Sequence, residues 1–464
     1  MSTDLSAAAA DLGIELPREG VAAAVVAERG TVPTTTAAVD DETLATQSLL
    51  LASSHHDVAA LRDMLRTTPA NVADPETGLT PLHAALLAFE DEDANEANEQ
   101  PQPDKAELDK AAETVKLLLA HGAVWNDLDG RGETPGCVAA RLGLTECYGL
   151  IVDAGVRAEL LLARLDEYQV LSGGGDEESE DEEMVDGDAN GVEVLEEEGF
   201  EVVPDAGEEL SASGVVVESN GDAAELEASG VVVQQNGDEV ENKDVKSDAY
   251  LASDLTFTAD RLLDADHNGV MMAWETSLMR RSAELLAPKA GLRVLNVGHG
   301  MGIVDGIFQE KQPAAHHIIE AHPAVVQRMR EQGWDKKPGV VIHEGRWQDV
   351  VPKLVEQNGT FDAIYFDTFA EEYSALREFF SEYVIGLLEP EGRFGFFNGL
   401  GADRKVCYDV YTKIVEMDLF EAGFDTEWEE IPIPDLDANG EWEGVRRKYW
   451  VLDTYRLPTC KFIA

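Results

Sequence analysis

Three glycines within five residues, Gly298-His299-Gly300-Met301-Gly302, stand between a short apolar run, Leu292 to Val297, and Ile303-Val304 at the start of a helical pattern. Glycines at a strand-to-helix turn let the backbone close on a nucleotide-like ligand, and the following helix N-terminus offers free amides to a ribose or a carboxylate. Glu320 follows Gly298 by 22 residues, where a carboxylate would accept hydrogen bonds from both ribose hydroxyls. Trp347, in Gly345-Arg346-Trp347-Gln348-Asp349, offers a ring to cover an adenine. Asp367 closes the run Phe361 to Phe366, at the sheet edge where ligands of open α/β folds bind.

These residues require strands to carry them. His316 to Glu320, Val340 to His343 and Phe361 to Asp367 read as the second to fourth strands after Leu292 to Val297, and Leu387 to Gly392 turns into a fifth at Phe394 to Asn398. Beyond Trp428, apolar and polar residues alternate around a hairpin-type turn at Asp437-Ala438-Asn439-Gly440, and Tyr449 to Leu452 reads as a final antiparallel strand. A dinucleotide fold would place glycine at 303 to complete Gly-x-Gly-x-x-Gly, but that position is Ile. Gly-x-Gly-x-Gly is instead similar to the first motif of class I (Rossmann-like) methyltransferases, which hold no pyrophosphate. The expected fold class is therefore α/β.

The stretch Gly269 to Thr276, the turn at Val297 to Gly302, Ile318 to His322, Gly345 to Trp347 and Tyr365 to Thr368 resemble the guanidinoacetate N-methyltransferase group. Within it they are similar to type IV protein arginine methyltransferases, which carry ankyrin repeats before such a domain. The resemblance implies S-adenosylmethionine as cofactor, contacted by Phe257, Met271, His299, Gly300, Met301, Gly302, Ile303, Val304, Glu320, Ala321, His322, Trp347, Gln348 and Asp367. It also implies Glu275 and Asp367 as the acids that bind the guanidino group, and monomethylation of the arginine δ-nitrogen in a ribosomal protein of the large subunit. A guanidinium keeps its proton in water near neutrality, so its methylation calls for carboxylates that orient it and take the proton. The residues leave two alternatives open: a small guanidino compound as acceptor, or an ankyrin adaptor whose methyltransferase-like domain is inactive. In the glycine turn the backbone of His299 is expected to matter more than its imidazole, and Trp274 is expected to pack in the core.

The remaining chain is read as three further segments. Residues 1–41 form a poorly ordered leader, and 42–165 resemble all-α ankyrin repeats, with Thr80-Pro81-Leu82-His83 recurring as Thr134-Pro135. The two sites lie 54 residues apart, about 21 more than one repeat, which places a loop within Phe89 to Asp109. His83 belongs to the repeat's own turn network. Residues 173–248 form a disordered acidic linker, in which Ser213 to Val217 repeats at Ser229 to Val233. From Asp176 to Asp248 there are 26 acidic residues against two basic ones, within a chain of net charge −57.

The catalytic domain is expected over 250–464. Such acidity argues against nucleic-acid binding, which needs clustered Lys and Arg, and favours a basic protein partner held by the repeats. Four scattered cysteines suggest neither a disulfide framework nor zinc. With no signal peptide and no long apolar segment, the expectation is a soluble, intracellular protein that binds no membrane; a cytoplasmic and nuclear location and a monomer are further expectations.

Overall fold

The computed structural model describes residues 41–90, 104–173 and 245–463. The expected leader and acidic linker fall almost wholly outside them, as does 91–103, the middle of the expected loop insertion.

The N-terminal helices are α1 (Asp41–Ser54), α2 (Val58–Met64), α3 (Pro81–Leu87), α4 (Lys105–Ala120), α5 (Pro135–Arg141) and α6 (Thr145–Gly173). The two Thr-Pro dipeptides start α3 and α5 for the same reason. Thr80 and Thr134 accept from the backbone N–H three residues on, and the proline that follows sits in the first turn, where no N–H is required. His83 ties the two turns together, with Nδ1 2.9 Å from Thr80 Oγ1 and Nε2 3.0 Å from the Glu133 carbonyl. Burial lowers its pKa, which suits a structural, neutral ring. Asp104 and Glu107 cap α4 reciprocally, so the chain is already helical at Lys105, inside the stretch read as an insertion.

Seven of the strands described form one sheet in the order β6-β5-β4-β7-β8-β10-β9. They are β4 (Arg293–Val297), β5 (Ala315–Glu320), β6 (Val340–Glu344), β7 (Phe361–Phe366), β8 (Leu388–Phe396), β9 (Phe424–Pro432) and β10 (Thr454–Phe462). The first five are mutually parallel, and β10 and β9 add antiparallel. Both faces are covered, which is why the central strands read as continuous apolar runs. Val294, Ile318 and Ala363 pack on one side with α8 (Thr276–Leu286), α9 (Ile303–Glu310) and α10 (Pro323–Glu331). Their neighbours Leu295, Ile319 and Ile364 pack on the other with α11 (Trp347–Glu356), α12 (Tyr373–Glu378) and α13 (Lys405–Glu421). Since β5 and β6 lie to one side of β4 and β7 to the other, the strand order reverses between β4 and β7 and opens a crevice at the carboxyl ends.

A separate antiparallel sheet, β1 (Thr256–Phe257), β2 (Arg261–Leu263) and β3 (Gly269–Met272), leads into a 3-10 turn, Ala273–Glu275, and then α8. It follows a short helix, α7 (Ser247–Leu251).

The C-terminal reading needs correction. The last strand is Thr454–Phe462, paired along its length with Phe424–Pro432, whereas Tyr449 to Leu452 is not a strand and Asp437 to Gly440 does not join a tight hairpin. Trp450 is fully buried and its Nε1–H donates to the Leu452 carbonyl. Of the four residues only Trp450 is buried in this long connection; Tyr449 and Leu452 are half-buried and Val451 is exposed.

Among the described residues, the N-terminal helices share their core with the sheet-bearing part of the chain. Val406, Cys407, Val410 and Ile414 of α13 complete the cluster built on Leu82, Leu118, Val138 and Ile151. Described residues 41–161 and 245–463 accordingly belong to one compact unit, while the last turns of α6 from Leu162 onward belong to another.

Candidate active site

The glycine turn is built at the crowded end of the sheet. A Cβ on Gly298 would meet the Asp367 carbonyl oxygen at 1.9 Å, because β4 and β7 lie side by side there and Asp367 N–H donates to the Val297 carbonyl at 2.8 Å. Gly300 has φ +54° and would push a Cβ to 2.7 Å from the Met271 methyl. Met271 in turn comes within 3.2 Å of the Met301 N–H through its sulfur, so the small sheet is fastened to the turn.

Glu320 closes the turn from β5. Its Oε2 accepts from the His299 and Gly300 N–H groups at 2.9 and 3.3 Å, and its Oε1 from the His322 N–H at 2.7 Å. Two carboxylate oxygens offer about four acceptor positions, which leaves capacity for a bound hydroxyl. Beneath the turn the His299 imidazole carries a structural role that backbone reasoning misses. Its Nδ1 lies 2.6 Å from Asp305 Oδ2, and Asp305 Oδ1 lies 2.8 Å from His316 Nε2. Asn296 Nδ2 bridges Asp305 and the Gly298 carbonyl at 2.9 and 2.7 Å. Burial would push the Asp305 carboxyl up, yet the two histidines hold it down at about 2, so this buried acid stays ionised.

A cavity opens above. It is lined by Met271, Gly298, Gly300, Glu320, Ala321, Trp347 and Asp367, together with Tyr250, Phe369 and Glu371. Trp347 is buried, and its Nε1–H donates to Glu371 at 3.0 Å, as does Gln348 Nε2. Gln348 Oε1 is buried without a hydrogen-bond partner.

Two carboxyls lie at or beside the cavity. Asp367 lines the cavity, while Glu275 lies buried outside its lining, on the turn between β3 and α8. Glu275 Oε2 accepts from the Met272 N–H at 3.3 Å, and Tyr449 Oη–H donates to Oε1. Burial, reinforced by the charge of Asp367, raises Glu275 to about 8 against the two hydrogen bonds. Burial and the charge of Asp305 raise Asp367 to about 7. An acid pair poised near neutrality suits a site that binds a cation and accepts a proton from it.

Of the residues expected at the site, the structure brings Met271, Gly300, Glu320, Ala321, Trp347 and Asp367 around the cavity. His299, Met301, Gly302, Ile303 and Val304 form the turn and helix start beneath it, with Val304 in the core. Phe257 lies under the Arg328 guanidinium, 4.4 Å from its ring centre. His322 packs on Tyr250 and contacts its carbonyl at 3.1 Å, so it supports the wall rather than forming it. Tyr250, Phe369 and Glu371 had no signal in the sequence: the first arrives from α7, and the other two follow Asp367 in an irregular loop. Among the described residues, no group of three or more His, Cys, Asp or Glu could hold a metal ion.

Comparison with known proteins gives a consistent picture. Residues 236–440 match the family model of guanidinoacetate N-methyltransferase. The chain is 57% identical over 425 residues to a protein arginine N-methyltransferase 2 of Aspergillus fumigatus, covering 89% of this chain and 95% of that one. The protein of the same name from Emericella nidulans is 54% identical over 427 residues, with the same coverage. That from Yarrowia lipolytica is 39% identical over 414 residues, covering 83% and 84%.

Proposed function

Because the chain belongs to the protein arginine N-methyltransferase 2 family, we propose that it transfers a methyl group from S-adenosylmethionine to the δ-nitrogen of an arginine in a large-subunit ribosomal protein. The observation that carries this reading is a pair of neighbouring carboxyls, Asp367 lining the cavity beside the glycine turn and Glu275 buried just outside that lining, where it feels the charge of Asp367.

The residues present fit the cofactor. Gly298 and Gly300 leave no room for side chains where the backbone lines the cavity, Glu320 retains acceptor capacity for one ribose hydroxyl, and the unpartnered Gln348 Oε1, next in the chain to the cavity-lining Trp347, offers an acceptor for an adenine amine. When bound, S-adenosylmethionine supplies an electrophilic methyl on a sulfonium. Asp367, facing the cavity with a pKa of about 7, is matched to take the proton that the arginine nitrogen sheds as it is methylated. Glu275, buried behind it, holds the opposite side of the guanidinium by charge-assisted hydrogen bonds. The cation lowers the pKa of both acids when it arrives, since opposite charge favours their ionised forms.

The N-terminal helices, which resemble ankyrin repeats in their Thr-Pro turns, are proposed to hold the protein substrate on their exposed face. The family match over 236–440 favours a second acceptor, a small guanidino compound. One experiment separates the two. Labelled methyl transfer to large-subunit ribosomal proteins and to guanidinoacetate is compared, and the product is fragmented to separate δ from terminal nitrogen modification. Exclusive labelling of guanidinoacetate, or of a terminal nitrogen, overturns the reading. Loss of activity in Glu275→Gln is expected, and retained turnover removes Glu275 from the mechanism.

A further inference from the structure

The loop from Ile433 to Asp453 spans the gap between β9 and β10, and connections of that length in a compact domain usually have a function. Here it docks on the small sheet. Arg446 N–H donates to the His267 carbonyl at 2.9 Å, and Arg261 Nη1 donates to the Glu443 carbonyl. Tyr449 is thereby carried to Glu275, although 174 residues separate them.

The ring of Tyr449 has little freedom. A Cβ on Gly269 would lie 2.9 Å from its Cε1, Trp442 packs edge-on at 5.1 Å between ring centres, and Trp274 lies alongside at 6.1 Å. Trp274 Nε1–H donates to the Tyr449 hydroxyl oxygen at 3.2 Å. Indole nitrogen is a donor only, so it takes an acceptor position on that oxygen and leaves the phenolic proton for Glu275 Oε1. With the Met272 N–H on Oε2, both oxygens of Glu275 are tied to the protein.

We propose that Tyr449 is a positioning residue: oriented by Trp274, it fixes the Glu275 carboxylate so that the remaining lone pairs face the guanidino acceptor. The inference rests on the role given to Glu275 above. It adds what a bare buried carboxyl lacks, a defined rotamer and a donor that stabilises the ionised form. The other titratable groups acting on or sensing Glu275 are Asp367 at the end of β7, Tyr365 within β7 and Tyr455 of β10. Burial drives both tyrosines well above 10, which leaves Asp367 and Glu275 to titrate near neutrality.

The test uses the full chain and the initial rate of methyl transfer to large-subunit ribosomal protein at subsaturating acceptor. In Tyr449→Phe the ring packing stays and the hydroxyl goes. The acid limb of the pH–rate profile should move up by about one unit, and the rate at pH 7 should fall about tenfold, as expected for a lost hydrogen bond to a charged group. Cofactor affinity measured by calorimetry should not change.

Trp274→Phe should shift the limb in the same direction by less, and it reports on the same relay if Tyr449→Phe folds poorly. An unshifted limb in both single variants, with Glu275→Gln inactive, overturns the assignment of Tyr449 alone. Full turnover in Glu275→Gln takes down the underlying reading of the site as well.

Discussion

Glu275 and Asp367 are held against their chemistry. A carboxyl raised to about 8 in the fold binds a proton there that it loses in the unfolded chain above about pH 4.5. Stability contributed by Glu275 is therefore complete below that value and declines as pH rises through about 8. Glu275→Gln, which cannot ionise, should match the wild type in Tm at pH 4.5 and exceed it by about 2–5 °C at pH 8.5. A melting curve at the two pH values checks this, and equal Tm at both would show that Glu275 carries no ionisation cost. Activity runs the other way. Acceptor binding needs the ionised pair, so kcat/KM should rise about tenfold or more between pH 6 and pH 8.5.

Asp305 makes the opposite case. It is buried, held at about 2, and shared between His299 and His316, so Asp305→Asn should cost about 3–5 kcal/mol in denaturant unfolding and weaken cofactor binding through the loosened turn. The sequence marked Glu320 and Asp367 because each ends a strand, but Asp305 and Tyr449 belong to no motif, and their contacts arise only once helix, turn and loop are folded together.

At the level of elements, the central parallel strands β4 and β7 were legible because most of their residues are buried and read as apolar runs, whereas β6 at the sheet edge has no buried residue. The Thr-Pro helix starts were legible because capping is local. The C-terminal region was not: Tyr449-Trp450-Val451-Leu452 has strand-like composition, yet only Trp450 is buried, packed on Tyr408 of α13 and on Trp274 and Tyr455, while Val451 is exposed. The junction of helices was equally hidden. A Cβ on Gly136 of α5 would lie 2.5 Å from a Val406 methyl, and one on Gly155 of α6 would lie 2.7 Å from a Val410 methyl. These glycines let two helices approach α13 closely. Overpacking typically costs about 1–3 kcal/mol, so Gly136→Leu and Gly155→Leu should each lower Tm while leaving the cofactor site intact. Unchanged Tm in both would show that the junction yields freely.

For the whole molecule, the shared core decides whether the helical region is a detachable module. Val406, Cys407, Val410 and Ile414 of α13 are buried against the N-terminal helices, and burial of such side chains is worth about 1.5–3 kcal/mol each for the larger ones. Polar contacts at the junction add less. Lys413 pairs with Asp153 at 3.0 Å with both side chains half exposed, a geometry worth about 0–1 kcal/mol. The exception is Asp409, which accepts from Tyr148 while paired with Lys405 and Arg456 at 2.6 and 2.9 Å. Residues 245–464 alone would therefore expose an apolar stripe on α13, and the truncated protein should aggregate on size-exclusion chromatography rather than run as an active domain. Replacing Val406, Val410 and Ile414 with polar residues in the truncation should restore a soluble species that binds S-adenosylmethionine by calorimetry. A monodisperse truncation that melts at the full chain's Tm without those replacements would show that the helices are an accessory. If it aggregates as expected, their contribution to substrate capture has to be measured with surface substitutions on the intact chain, because deletion would confound recognition with folding.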